Sequence, residues 1–130
     1  MRTAMAAWLR YLVAFVVFAH GFVYVRIGGS LPGPVKEWNG RPWLLGQAVT
    51  GDTLILLLRT VHVVAGLAII ASAVAIAFNH RSWRPLAILG AALGVVAFAI
   101  FWDGQTQYLF EEGGVGAVLS LILLASALAL

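Results

Sequence analysis

The chain contains no cysteine and few charged residues. Of its 130 residues 10% are charged, and 62% are hydrophobic. The lack of cysteine excludes disulfides, thiolate metal sites, cysteine nucleophiles and iron–sulfur clusters. The shortage of charge, with a mean hydropathy of +0.99, argues against a soluble domain, in which roughly a quarter of residues are charged. The composition therefore predicts an integral membrane protein.

The basic character of the chain does not indicate a nucleic-acid partner. Its pI is near 10.0, but the net charge is only +3 and no basic run offers a surface for a phosphate backbone. We expect the lipid bilayer to be the main partner, in a bacterial or archaeal cytoplasmic membrane. The sequence leaves open whether other membrane proteins or further copies of the chain also bind.

Four apolar segments predict an all-α, integral membrane four-helix bundle that forms one transmembrane domain over 1–130. A helix that crosses a bilayer needs about 20 apolar residues. The turn residues and prolines between the segments set the expected helices at about 6–26, 53–78, 84–102 and 115–130. A Gly/Pro/Trp-rich loop joins the first two helices, and we expect it to lie at the outer membrane surface, with a short helical turn over 42–48.

The distribution of basic residues predicts which side holds the termini. Four spans place both termini and the turn between the second and third helices on one side. That side carries arginines and no acid, which favours cytoplasmic termini by the positive-inside rule; its arginines are Arg2, Arg10, Arg81 and Arg84.

Three ionisable residues within the apolar segments form the candidate site. His20 lies in the first helix, and Arg59 and His62 lie one turn apart in the second. Ionisable groups at membrane depth are expensive and mark a site by default. Counting along the helices from their outer ends places the two histidines at similar depth. We therefore expect them to face one pocket near the outer leaflet.

The predicted pocket includes further residues near these three. We expect Asp103 to be the counter-ion of Arg59, with Glu111 and Glu112 as the next choices. Tyr24 could satisfy a histidine, and Gly66 continues the stripe of Arg59 and His62. The ligand-binding set is His20, Tyr24, Arg59, His62, Gly66 and Asp103.

Several other interpretations remain open for the same residues. Each histidine could be satisfied by a backbone carbonyl or a neighbouring side chain, and Arg59 could extend to the membrane surface. His20 and His62 could instead ligate haem b, with Gly21 and Gly66 leaving room for the macrocycle. A quinone or an anionic lipid is a third option. A bare metal site would lack ligands, and no nucleophile–base–acid set points to an enzyme.

Small residues in the helices indicate close packing. Gly90 and Gly94 form a GxxxG pair in the third helix, and such residues let helix backbones approach in lipid. We interpret the pair as packing within one chain rather than as a dimer interface.

The segment FVVFAHGFVYV, the broken outer loop and the three further helices resemble the small DoxX-like four-helix membrane proteins. The resemblance covers the layout and the His20-Gly21 pair. It implies a membrane subunit associated with a quinone-linked oxidoreductase. Arg59 and His62 stand where that pattern leads us to expect an acidic residue.

These observations predict a small accessory or ligand-binding membrane protein with a polar pocket, which could be a subunit of a larger complex. The alternative is an electron-transfer subunit that binds haem b or a quinone.

Overall fold

Four α-helices make up the regular structure of the part of the chain that is described, apart from one turn of 3-10 helix. The computed structural model describes residues 6–31, 41–45, 48–49, 51–108 and 114–130. The helices are α1 (Ala7–Ser30), α2 (Gly51–Ala77), α3 (Trp83–Phe101) and α4 (Val115–Ala129), and the 3-10 turn covers Thr106–Tyr108. The predicted all-α class with four helices is confirmed. The first three helices are long and apolar enough to cross a membrane, whereas α4 has 15 residues.

The end of α1 differs most from the sequence expectation. The first helix was predicted to end near residue 26, but α1 continues through Gly28 and Gly29 to Ser30. A Cβ on Gly28 would lie 3.0 Å from the Arg59 carbonyl oxygen of α2, so this glycine permits a close helix contact. Tertiary packing therefore overrides the turn signal.

Only part of the predicted outer loop falls within the described residues. Residues 32–40, 46–47 and 50 lie outside them, so the expected helical turn over 42–48 is described only in part, as a turn at 43–45. The Trp43 amide donates to the Trp102 carbonyl at 2.8 Å, and its indole Nε1 donates to the Ala99 carbonyl at 2.7 Å. Trp43 thereby attaches this part of the loop to the end of α3.

The C-terminus of α2 is closed by Asn79 in the left-handed conformation, with φ of 53°. The Asn79 amide donates to the Ile76 carbonyl and the His80 amide donates to the Ala75 carbonyl. This pair of bonds is the Schellman motif, in which glycine is the usual left-handed residue and asparagine an accepted substitute. The motif stops α2 and turns the chain toward α3.

Each helix packs against the next one along the chain. At the crossing of α1 and α2, a Cβ on Gly66 would lie 2.6 Å from the Gly21 carbonyl oxygen, so only glycine fits. Gly90 of α3 makes a similar approach to α2 at Ile69, and Gly94 faces the Ser120 hydroxyl of α4. The GxxxG pair is thus used for packing inside the chain.

Large apolar side chains cover the outside of the helices, as expected in lipid. Phe15 is 68% exposed and Leu56 is 67% exposed, although both lie within helices that could cross a membrane. In contrast, four polar side chains in the described part of the chain are buried between helices: His20, His62, Ser72 and Ser120. This distribution fits a bilayer environment, because it places the apolar surface outside and the polar groups inside.

Candidate functional site

A chain of hydrogen bonds joins α1, α4 and α3 in the interior of the protein. His20 Nε2 lies 2.9 Å from the Ser120 hydroxyl oxygen, which lies 3.1 Å from the Tyr24 hydroxyl oxygen. The Tyr24 hydroxyl donates to the Gly94 carbonyl at 3.1 Å. We call His20, Tyr24 and Ser120 the polar triad. All three residues are buried, so their polar groups satisfy one another away from water.

His62 belongs to a separate environment. Its Nδ1 lies 2.7 Å from the Leu58 carbonyl oxygen one turn earlier in α2, and a carbonyl can only accept, so Nδ1 carries a proton. Its ring packs edge to face on Phe101, with centroids 5.4 Å apart. The centroid of the Tyr24 ring lies 6.0 Å from that of the His62 ring. His62 is therefore satisfied by its own helix and an aromatic shell.

The sequence predicted that the two histidines lie at similar depth, but the structure places them at different depths. Gly21 faces Gly66, and Gly28 faces the turn of α2 that holds His62. His62 therefore lies at least one helical turn above His20, measured along α1. The Tyr24 ring contacts both imidazoles and fills the space between them.

Arg59 contacts the end of α1 rather than the predicted carboxylate. Its Nε donates to the Gly28 carbonyl and its Nη2 to the Gly29 carbonyl, both at 3.3 Å. These are carbonyls at the C-terminal end of a helix, where the partial negative charge attracts a cation. Arg59 is exposed, and through these two bonds it caps the end of α1.

Asp103, the predicted counter-ion of Arg59, accepts hydrogen bonds from Gln105. The Gln105 amide nitrogen lies 3.0 Å from Oδ1, and the Gln105 side-chain nitrogen lies 2.7 Å from Oδ2. Asp103 therefore shapes the turn after α3. Glu111 and Glu112, the next choices for a counter-ion, lie outside the described residues.

A cavity of about 1090 Å³ lies between α1 and α4, bordered also by the ends of α2 and α3. His20 lines it, whereas Arg59, His62 and Asp103 do not. It extends toward the end of the molecule where Arg10, Asn79 and Trp83 lie, which is the end opposite the long loop between α1 and α2. Its other walls are mainly valine, isoleucine and leucine, with Ser126 as a further polar residue.

Arg10 places a cation in the wall of this cavity. The Arg10 Nε is buried and has no hydrogen-bond partner within the part of the chain that the structure describes. The guanidinium carbon lies 5.2 Å from the centroid of the neighbouring Tyr11 ring. Because a guanidinium presents five N–H donors, Arg10 can bind an anion at this end of the cavity.

A haem between His20 and His62 does not fit this arrangement. The Tyr24 ring occupies the space between the imidazoles, with centroids 5.2 Å from His20 and 6.0 Å from His62. The space beside Gly21 and Gly66, which was expected to leave room for a macrocycle, is occupied by the contact of α1 with α2. Among the described residues, no group of three or more His, Asp or Glu side chains could hold a metal ion.

Sequence reasoning missed two members of the site. Ser120 was not among the predicted site residues, yet it joins His20 to Tyr24. Arg10 was interpreted only as a topology signal. Arg10 shares one face of its helix with Val13 and Val17, and this spacing could have suggested a common surface. The three residues do line the same cavity.

Comparisons with known proteins do not assign a function, so the assignment rests on the chemistry of these residues. No family model matches the chain, and neither curated proteins nor solved structures gave a significant match.

Proposed function

We propose that the protein is a small ligand-binding membrane protein, with an accessory or carrier role, that holds a single-chain amphiphile with an anionic head group between α1 and α4. The observation that carries the proposal is the Arg10 guanidinium in the wall of a mainly apolar cavity; among the described residues, its buried Nε has no hydrogen-bond partner. A buried donor without a partner costs free energy, about 1 to 3 kcal/mol. A bound carboxylate or phosphate would give the guanidinium a charged partner.

The shape of the cavity supports an elongated ligand. Arg10 and His20 lie ten positions apart on α1, which corresponds to about 15 Å along the helix. The wall between them is apolar. Ligand sites in proteins are mostly apolar, with a few polar groups that fix orientation, and an alkyl chain suits this surface.

The border of the cavity supports entry from the bilayer. Val16 of α1 and Ile122 of α4 line the cavity and are also 53% and 57% exposed. Because both side chains reach the outer surface, the cavity opens sideways between the two helices. An amphiphile already in the membrane could enter there without crossing water.

The alternatives from the sequence receive less support. Haem b does not fit between the histidines, as described above. A quinone has no negative charge to meet Arg10, so the geometry favours it less than an anionic amphiphile. That the protein is related to the DoxX-like proteins remains a proposal.

We also propose that the termini face the cytoplasm, since Arg10, Arg81 and Arg84 lie at their end of the molecule. The chain has no cysteine, so a cysteine introduced at Arg81 would be the sole thiol. We expect a membrane-impermeant maleimide to label it in inverted vesicles and not in intact cells. The opposite labelling pattern would refute this orientation.

Tryptophan fluorescence offers a direct test of ligand binding, because Trp83 lines the cavity. We expect bromododecanoate to quench the wild-type protein in phosphatidylcholine nanodiscs, with the saturable part lost in Trp83→Phe. Uncharged bromododecanol should bind at least tenfold more weakly, since a hydrogen bond to a charged group contributes about 1.5 to 3 kcal/mol.

Two matched pairs of variants make the test specific. Arg10→Gln should weaken bromododecanoate binding about tenfold or more, whereas Arg26→Gln removes the same charge from the far end of α1 and should leave it unchanged. Val16→Phe should block the cavity, whereas Val23→Phe changes a residue of similar exposure, 50%, outside it. Equal binding by Arg10→Gln and Arg26→Gln would refute the proposal.

A further inference from the structure

The directions of the hydrogen bonds in the polar triad are fixed by their end point. The Gly94 carbonyl can only accept, so the single proton of the Tyr24 hydroxyl is donated to it. Tyr24 must then accept from Ser120, whose hydroxyl oxygen lies 3.1 Å away. The Ser120 proton is thereby used, so Ser120 accepts from His20 Nε2.

This direction determines the tautomer of neutral His20. With its proton on Nε2, the ring has a lone pair on Nδ1, which makes Nδ1 an acceptor. His20 lines the cavity, and in the described part of the chain its one hydrogen bond is the one to Ser120. Nδ1 is not among the buried atoms that lack a partner, so it is accessible.

We propose that His20 Nδ1 accepts a hydrogen bond from the buried end of the ligand, so that the cavity selects an amphiphile whose chain carries a hydroxyl group far from its anionic head. This inference rests on the proposed function and specifies its substrate class. Arg10 supplies donors at one end of the cavity, and His20 supplies an acceptor at the other. Ser120 is a positioning residue, because its hydroxyl holds the proton of His20 on Nε2.

A set of three competitors separates this inference from the proposed function. Dodecanoate, ω-hydroxydodecanoate and ω-methoxydodecanoate share the anionic head and a chain comparable in length to the Arg10–His20 separation. Each is used to displace bromododecanoate from the wild-type protein. Burial of a hydroxyl without a partner is unfavourable, so without an acceptor the hydroxy compound should bind more weakly than the methoxy compound.

We expect the wild-type protein to prefer ω-hydroxydodecanoate over ω-methoxydodecanoate by about tenfold. His20→Phe should reverse the order. Ser120→Ala, a milder change, should reduce the preference, because the tautomer of His20 is then no longer fixed. His62→Phe should retain the wild-type order, since His62 does not line the cavity.

Each outcome has one meaning. If none of the three compounds displaces bromododecanoate, the proposed function and this inference both fail. If dodecanoate competes in an Arg10-dependent way but the methoxy compound binds as well as the hydroxy compound, only this inference fails. If His20→Phe does not fold, the wild-type order and its change in Ser120→Ala decide the question.

Discussion

The hydroxyl groups of Tyr24 and Ser120 lie 3.1 Å apart, although 96 positions separate the two residues in the sequence. This bond connects α1 to α4, whose neighbours along the chain are α2 and α3. Tyr24 also donates to the Gly94 carbonyl of α3. A single phenol group therefore holds three helices together.

Removal of that phenol group should destabilise the protein. Tyr24→Phe leaves Ser120 and the Gly94 carbonyl short of a partner in a buried place, which costs about 1 to 3 kcal/mol. We expect unfolding by sodium dodecyl sulfate in mixed micelles, followed by circular dichroism, to occur at a lower detergent fraction. Tyr11→Phe is the control, because Tyr11 is 55% exposed. Equal stability of the two variants would contradict the prediction.

The contact of α1 with α2 should not tolerate a side chain at Gly66. A Cβ there would lie 2.6 Å from the Gly21 carbonyl oxygen and 2.8 Å from the Val25 amide nitrogen. Because backbone atoms cannot rotate away, we expect Gly66→Ala to lower the free energy of unfolding by about 2 to 3 kcal/mol. The same micelle assay measures it.

Gly29→Ala provides the comparison within the same pair of helices. A Cβ at Gly29 meets nothing within 4 Å, and alanine is the better helix former. This variant should be as stable as the wild type or slightly more stable. If Gly66→Ala matched it, the close approach of the two helices would be refuted.

Arg59 should behave as a cap of α1 and not as part of the ligand site. Arg59→Gln removes charge at the α1 carbonyls, and we expect a loss of stability of about 0.3 to 1 kcal/mol, as for exposed charges at helix ends. Binding of bromododecanoate should be unchanged. If the variant kept normal stability but bound bromododecanoate less well, the sequence prediction that Arg59 belongs to the ligand pocket would be supported.

The left-handed conformation of Asn79 gives a prediction with a definite sign. Asn79→Ala should cost about 1 kcal/mol, because a Cβ without a compensating side-chain group disfavours this conformation. Asn79→Gly should retain wild-type stability. Thermal unfolding of both variants checks the order, and a more stable alanine variant would contradict the assignment of the α2 cap.

Reconstitution with haemin tests the hypothesis that the protein binds haem b. Since Tyr24 lies between the imidazoles, we expect no six-coordinate low-spin absorption spectrum when haemin is added to the purified protein. Such a spectrum, lost in both His20→Ala and His62→Ala, would show that the helices rearrange around a haem.

The helices could be predicted from the sequence, whereas the partners of the polar residues could not. Hydropathy and turn residues placed the starts of α2, α3 and α4 within two residues, because both signals are local. The partners of His20 and Arg59 depend on how the helices rotate about their axes. Spacing along one helix carries no information on which face meets Ser120 or Gly28, so the predicted pocket gathered residues that the fold separates.

The cap that Arg59 provides for α1 has a counterpart in α3. Arg84 donates through Nε to the Ala127 carbonyl and through Nη2 to the Leu128 carbonyl, both at the end of α4. The two capped ends lie at opposite ends of the molecule, so at each end a guanidinium holds the last carbonyls of one helix. We expect an acidic phospholipid at either end to compete with the carbonyls for the arginine that caps the helix there. We therefore expect the stability of the protein to depend on the acidic lipid present at each end.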